Sequence, residues 1–196
     1  MRPRVLLLPG LYDSGPDHWH THWERADPSF QRLVQRNWES PSRGEWVGTL
    51  DAAVTAAGPQ VVLAAHSTSC ALVAFWAAET GRTVQGALLV GPSDTEAPGY
   101  PPGPSGWQPM PLGRIPFATI VVASENDEYG TRSSVRTPGR LSPCRVIATQ
   151  HPPVAGRHIP ALPPEDLRHA APTPAGRRFR SPARLCTSLL HDLGNS

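Results

Sequence analysis

The sequence contains no lysine, so all 18 of its cationic side chains are arginine. We interpret this bias as the codon usage of a GC-rich genome. The arginines are scattered without interleaved aromatic residues and the net charge is only +2, a pattern that does not favour a nucleic-acid partner. No run approaches the ~18 apolar residues of a membrane span, and the first apolar stretch, residues 5–8, is too short for a signal-peptide core. We therefore expect a soluble, cytoplasmic protein with neither a membrane nor a nucleic-acid partner.

Cysteine is also scarce. The three cysteines, Cys70, Cys144 and Cys186, are odd in number and lack the spacing of metal ligands. His18 and His22 are one helical turn apart, but no third ligand accompanies them at a suitable spacing. We expect no metal and no other cofactor, and we expect Cys70 to be a small core residue.

The length of 196 residues predicts one domain, but the composition changes near residue 132. Residues 1–131 carry 8 arginines, 13 acidic residues and 12 of the 13 aromatic residues, whereas residues 132–196 carry 10 arginines, 3 acidic residues and only Phe179. We interpret the second part as an atypical tail, rich in Pro and Arg, whose composition is typical of poorly ordered chain. One hypothesis is a frame change in the gene, which translation of the other two reading frames would test.

Apolar runs alternate with helical patterns along the chain. This alternation predicts an α/β fold, a mostly parallel sheet with helices on both faces in a Rossmann-like three-layer sandwich. The proline-rich residues 92–116 are predicted to form a long loop, and such loops are often functional. The predicted strands are residues 4–8, 32–36, 60–65, 84–90, 118–123 and 144–148, and the predicted helices are residues 17–24, 41–57, 71–79 and 183–193.

The strongest functional signal lies at residues 61–70. An apolar, partly β-branched run ends at Ala65, a His-Ser pair follows, and a helical pattern comes next. A serine in a sharp turn between a strand and a helix is the layout of a nucleophile elbow, which needs small residues two positions before and after the serine. Ala65 and Ser69 stand there in place of the usual glycines. The pattern predicts Ser67 as a nucleophile, although the Cβ of Ser69 is expected to crowd the turn.

An elbow of this kind also predicts an oxyanion hole. One donor would be the backbone N–H of Thr68, and the second would come from the loop after the first strand, around Leu11 or Tyr12. His66 lies on the elbow itself and cannot fold back as a base, so we interpret it as structural support.

A serine hydroxyl needs a base, and that base needs an acid to orient it. In this kind of fold the chain order is Ser, then Asp or Glu, then His. Asp127 follows a predicted strand at its carboxyl end and is the candidate acid, although it could also only cap a turn. His158 is the first candidate base, His151 is the second, and the chain could also lack a functional base.

These motifs resemble the small serine hydrolases related to retinoblastoma-binding protein 9, a compact branch of the α/β-hydrolases. The elbow A-H-S-T-S-C at residues 65–70 is similar to that branch's A-H-S-L-G-C. The branch's G-H-I-N segment, which holds its catalytic histidine, has its nearest counterpart in G-R-H-I-P at residues 156–160. The likeness covers about residues 4–131, and its other segments are residues 5–11, 14–19, 23–24, 37–41, 45–47, 87–94 and 116–127.

The resemblance implies a serine hydrolase that cleaves a small-molecule ester or amide, with Ser67 and Asp127 in a Ser-His-Asp triad. His158 completes that triad in our interpretation. Because both the elbow and the histidine segment depart from the branch's pattern, the alternative is a catalytically impaired hydrolase fold that acts as a binding module.

Overall fold

The computed structural model of the protein describes residues 3–111, 113–124 and 144–149. Within these ranges the chain forms one six-stranded parallel sheet covered by helices. The strands are β1 (Arg4–Leu8), β2 (Phe30–Arg32), β3 (Val61–His66), β4 (Gly86–Val90), β5 (Thr119–Ser124) and β6 (Cys144–Thr149), and the helices are α1 (Trp19–Ala26), α2 (Arg43–Ala57) and α3 (Thr68–Thr80).

The sheet has the order β2-β1-β3-β4-β5-β6, and every neighbouring pair is parallel. Successive residues of its central strands point to opposite faces and feed two separate cores. On one face, Leu6 and Leu8 pack in the core that contains Trp46 of α2 and Trp76 of α3. On the other face, Leu7 packs with Trp19 of α1 and its neighbours. The predicted α/β fold with helices on both faces is therefore confirmed.

The predicted second strand at residues 32–36 is wrong in its position. Strand β2 ends at Arg32, and only the N–H of Leu33 still bonds across to the Leu7 carbonyl. Val34 is then 71% exposed, and the chain turns at Asn37, which has a φ of 48°. The apolar pair Leu33-Val34 looks like part of a strand, but only the first of the two side chains is buried.

The other predicted strands lie within two residues of the observed ones, and β6 confirms the strand predicted at residues 144–148. The predicted helix at 71–79 begins three residues earlier, at Thr68, directly after the predicted nucleophile. The helix predicted at residues 183–193 lies outside the described residues. Along the part of the chain that the structure covers, no helix is long and apolar enough to span a bilayer.

The predicted loop at residues 92–116 contains no helix or named strand among its described residues. It is nevertheless anchored, because the indole N–H of the buried Trp107 donates to the Pro41 carbonyl. Ser105 also forms a backbone bridge with Ser42, at the start of α2. The loop therefore packs onto the same face of the sheet as α2 and α3.

Candidate active site

Ser67 occupies the single residue between the end of β3 and the start of α3. Its backbone has a φ of 56° and a ψ of −127°, a conformation that side-chain-bearing residues rarely adopt. The Ser67 N–H donates to the Val90 carbonyl at the end of β4, at 3.0 Å, which holds the strained turn against the neighbouring strand. The strand, sharp turn and helix expected from the sequence are thus present around Ser67.

Several residues with a positive φ lie at this turn or in the loops near it. Tyr12, Asp13, Asn37 and Ser67 are the non-glycine residues with positive φ that the described part of the chain contains. The Tyr12 N–H donates to the carbonyl of Trp38, the residue after Asn37, so the two loops are joined. Strain of this kind costs on the order of 1–3 kcal/mol per residue, and it persists where surrounding contacts over-determine the backbone.

The loop after β1 lies directly against Ser67. A Cβ built on Gly10 would come within 2.8 Å of the Ser67 Cβ and 3.2 Å of its Oγ. Position 10 must therefore be glycine, because the loop after β1 approaches the turn at Ser67 too closely for any side chain. Arg32 secures the same loop further along, because its Nη1 donates to the Asp13 carboxylate at 3.0 Å and to the Ser14 carbonyl at 2.9 Å.

Two backbone N–H groups could stabilise an oxyanion at this turn. Thr68 is the first residue of α3, where N–H groups have no carbonyl partner within the helix and the helix dipole favours negative charge. The sequence left the second donor open between Leu11 and Tyr12. The Tyr12 N–H is already bonded to the Trp38 carbonyl at 3.0 Å, which leaves Leu11 as the candidate.

Three consecutive hydroxyl groups tie the turn to two loops, the one after β1 and the proline-rich one at residues 92–116. The Ser67 Oγ lies 2.9 Å from the Ser93 Oγ. The Thr68 Oγ1 lies 3.2 Å from the Tyr100 hydroxyl, and burial raises the pKa of Tyr100, so its phenol stays protonated. The Ser69 hydroxyl donates to the Pro9 carbonyl at 2.5 Å.

The structure changes the interpretation of Ser69. Its side chain is buried, and its hydroxyl has a defined acceptor in the loop after β1. A glycine at this position would avoid the expected crowding but would leave the Pro9 carbonyl without this donor. The departure from the usual small-residue pattern is therefore compensated by a hydrogen bond.

Ser93 was not predicted as a site residue. It lies three residues after β4, is 9% exposed, and meets the Ser67 hydroxyl across 26 residues of sequence. The sequence did contain one available signal, a polar residue shortly after the carboxyl end of a central strand, where sites collect in parallel sheets.

A histidine cluster lies behind the turn. His20 is fully buried and bonds through Nε2 to the Ala64 carbonyl and through Nδ1 to the Ser14 hydroxyl. Since the carbonyl can only accept, Nε2 carries the proton and Nδ1 accepts from Ser14. The His66 ring packs edge-on against His18 at 4.7 Å between centroids, consistent with the structural support predicted for it.

These histidines are held neutral. Burial, with a smaller contribution from the nearby Arg32 charge, lowers the pKa of His18 to about 4. Burial and the proximity of His18 lower the pKa of His66 to about 3. Burial also lowers the pKa of His20 well below its ordinary value. The cluster therefore supports the turn without placing positive charge behind it at neutral pH.

The remaining predicted residues can be placed only in part. Cys70 is 3% exposed within the core, as expected. Strand β5 ends at Ser124 on the same edge of the sheet as Ser67, because the strands are parallel. Asp127, His151 and His158 lie outside the described residues, so their roles stay predictions. Among the side chains that the structure describes, no group of three His, Cys, Asp or Glu could hold a metal ion.

A cavity of about 280 Å³ opens beside the turn, in the proline-rich loop. Tyr100 contributes to its wall and bonds to Thr68, so the cavity adjoins the first turn of α3. Its other lining residues are Thr95, Ala97, Pro101, Pro102, Pro104, Gly106, Trp107 and Gln108.

Comparisons with known proteins agree with this arrangement. A model of the family described as serine hydrolase matches residues 5–149, past the change in composition near residue 132. The fold is similar to that of a YdeN-like hydrolase from Pectobacterium atrosepticum, with a TM-score of 0.62, 22% identity, and coverage of 75% of this chain and 76% of that one.

Two further solved structures have the same fold. The ydeN gene product of B. subtilis has a TM-score of 0.60 and 20% identity, covering 76% of this chain and 86% of that one. Est1E from Butyrivibrio proteoclasticus, solved with ferulic acid, has a TM-score of 0.59 and 12% identity, covering 98% of this chain and 88% of that one. At such identities the likeness establishes the fold alone. No curated protein sequence matches the chain significantly.

Proposed function

The chain belongs to the serine hydrolase family, and we propose on that premise that it hydrolyses carboxylic ester or amide bonds with Ser67 as the nucleophile. The observation that carries this proposal is the strained position of Ser67 at the junction of β3 and α3, with Gly10 packed against its side chain. A serine held this way projects from the carboxyl edge of a parallel sheet, where a substrate carbonyl can reach it.

The proposed chemistry uses the base and the acid predicted from the sequence together with the two backbone N–H groups assigned to the oxyanion hole. His158 accepts the hydroxyl proton of Ser67 as its Oγ attacks the carbonyl carbon, and Asp127 orients the imidazole. The carbonyl electrons move onto the oxygen, and the N–H groups of Leu11 and Thr68 donate to that oxyanion. The intermediate then expels the alcohol or amine, which takes the proton from His158. Water hydrolyses the resulting ester on Ser67 by the same sequence.

We propose a small-molecule ester or amide as the substrate, and a place among the compact hydrolases related to retinoblastoma-binding protein 9. The supporting features are the A-H-S segment at residues 65–67 and the Pro9-Gly10-Leu11 loop that packs against it. The cavity of about 280 Å³ beside Tyr100 supports a small substrate group, since it lies at the lower end of the range of roughly 300–1,000 Å³ that ligand pockets span.

Covalent labelling tests the proposal directly. We expect a fluorophosphonate probe to modify the full-length protein on Ser67, as located by mass spectrometry of the labelled peptide, and we expect short-chain esters to be hydrolysed. The Ser67→Ala variant should lose both properties and keep its circular dichroism spectrum. Absence of labelling and of hydrolysis in the folded parent protein would contradict the proposal and favour the binding-module alternative.

A further inference from the structure

The hydroxyl groups of Ser67 and Ser93 lie 2.9 Å apart, within hydrogen-bonding distance. We propose that Ser93 is a further catalytic residue, which donates a hydrogen bond to the Ser67 Oγ and stabilises that oxygen as it loses its proton. This inference rests on the proposed function, because it assigns a second residue to the same reaction. Neither the nucleophile-elbow pattern nor the sequence around residue 93 assigns Ser93 this role.

The direction of the hydrogen bond follows from the reaction. Either hydroxyl could donate in the resting protein. During attack, however, the Ser67 proton must leave toward the base, so its oxygen can only accept from Ser93. A hydrogen bond to an oxygen that gains negative charge becomes roughly twice as strong as one between neutral groups. The contact is therefore stronger in the transition state than in the ground state, which is the condition for catalysis.

The backbone that leads to Ser93 is held by neighbouring strands. Ser67 and Ser93 flank the ends of adjacent strands, since His66 of β3 pairs with Val90 of β4. The backbone N–H of Ser67 bonds to the Val90 carbonyl, so a second contact fixes the same separation. Gly91 in turn donates to the Val122 carbonyl of β5. The backbone two residues before Ser93 is thus hydrogen-bonded to strands on both sides, and a donor on such a rigid support needs little reorganisation when charge develops.

The proton balance of the step is simple. The Ser67 proton goes to the base, the bond between Oγ and the carbonyl carbon forms, and the carbonyl electrons move onto the oxyanion. Ser93 keeps its own proton throughout and only donates a hydrogen bond. Its removal should therefore lower kcat, by about 10- to 100-fold for the loss of one charge-assisted hydrogen bond, and leave KM nearly unchanged.

A cysteine at position 67 reports the hydrogen bond from Ser93 through the pKa of its thiol, and this measurement needs no catalytic turnover. A Ser67→Cys variant is alkylated by iodoacetamide at a rate that follows its thiolate fraction, and mass spectrometry of the peptide separates this site from Cys70 and the other native cysteines. If Ser93 donates to the charged form, the added change Ser93→Ala should raise the apparent pKa of this thiol by about one unit. The added change Ser93→Thr, which keeps a hydroxyl, should leave the pKa near its starting value.

The matched control is Thr95→Val in the same background. Thr95 is a fully buried hydroxyl two residues further along, and it donates to the Trp107 carbonyl and not to Ser67. Its removal should lower thermal stability and leave the thiol pKa unchanged. A general effect of loosening the loop would shift the pKa in both variants, which would overturn the inference.

Fluorophosphonate labelling of proteins that keep Ser67 completes the test. Ser93→Ala should slow labelling of Ser67 by about 10- to 100-fold, and Ser93→Thr should restore it. If Ser93→Ala changes neither the thiol pKa nor the labelling rate, the role of Ser93 is refuted while labelling of the parent still supports Ser67. If the parent is not labelled, the proposed function fails, and the catalytic role of Ser93 fails with it even where the thiol pKa shifts.

Discussion

The Ser69 hydroxyl donates a hydrogen bond of 2.5 Å to the carbonyl oxygen of Pro9. This contact joins the first turn of α3 to the loop that carries Gly10 and Leu11. The proposed oxyanion donors, the N–H groups of Thr68 and Leu11, thus sit on two segments that Ser69 links. The local sequence pattern predicts that the Ser69 side chain crowds the turn. In the structure, its hydroxyl instead holds the loop after β1 through the hydrogen bond to Pro9.

Ser69→Gly should lower kcat by roughly 10-fold and reduce the free energy of unfolding by about 1–3 kcal/mol, because the Pro9 carbonyl loses a buried donor. The sequence pattern alone predicts unchanged or higher activity, through relief of crowding by the Cβ. Ser69→Ala distinguishes the two causes, since it removes the hydroxyl and keeps the Cβ. Losses in both variants, measured by ester hydrolysis and thermal melting, support the hydrogen bond. Faster turnover by Ser69→Gly with an unaltered Ser69→Ala would support crowding.

Gly10→Ala should reduce fluorophosphonate labelling by at least about 100-fold, the loss typical of a missing oxyanion donor. The added Cβ would stand 2.8 Å from the Ser67 Cβ and would push the loop and its Leu11 N–H away from the turn. Gly15→Ala is the control in the same loop, because its Cβ would meet nothing within 4 Å. Equal labelling rates in the two variants would show that the loop does not form the oxyanion hole.

His158→Ala should lower the hydrolytic rate by about 10³-fold or more, since the members of a triad act as a unit. His151→Ala should have a much smaller effect. The order of the two effects on ester hydrolysis identifies the base. A larger loss in His151→Ala would exchange their roles, and full activity in both variants would remove residues 151 and 158 from the mechanism.

The free energy of unfolding should fall as the pH drops from about 6.5 toward 4. His18 and His66 have folded-state pKa values of about 4 and about 3, below the ordinary 6.5, so the unfolded chain binds their protons first. Their contribution is fully present above pH 6.5 and decreases below it, by up to about 1.4 kcal/mol per pH unit for each of the two histidines. Denaturant unfolding across this range measures the slope.

His18→Asn is the matched variant for the pH dependence of the free energy of unfolding. His18 caps α1 by accepting a hydrogen bond from the His20 N–H, and asparagine can cap a helix in the same way without titrating. The free energy of unfolding of this variant should therefore depend less steeply on pH than that of the parent protein. At pH 7.5 the two proteins should have similar stability. An unaltered slope would mean that His18 is not held neutral in the folded protein.

Local sequence patterns predict much of this fold. Apolar runs such as residues 61–65 and 86–90 are buried strands because successive side chains enter opposite cores, and both cores are apolar. The position of Ser67 between a strand and a helix follows from the same local pattern. The second strand was misplaced because the burial of Leu33 and the exposure of Val34 depend on where the chain turns away from β1.

The amino-acid sequence by itself determined the order of strands and helices, the position of Ser67 in a sharp turn, and the need for small residues around it. Tertiary structure decided which groups surround Ser67. Ser93 and Pro9 are brought to the turn by parallel pairing of strands, across sequence separations of 26 and 60 residues that no local pattern encodes. It also favours Leu11 over Tyr12 as the second proposed oxyanion donor, because the Tyr12 N–H already donates to the Trp38 carbonyl. Hydrogen-bond donors are assigned by which acceptors lie within reach, and only the folded chain determines that.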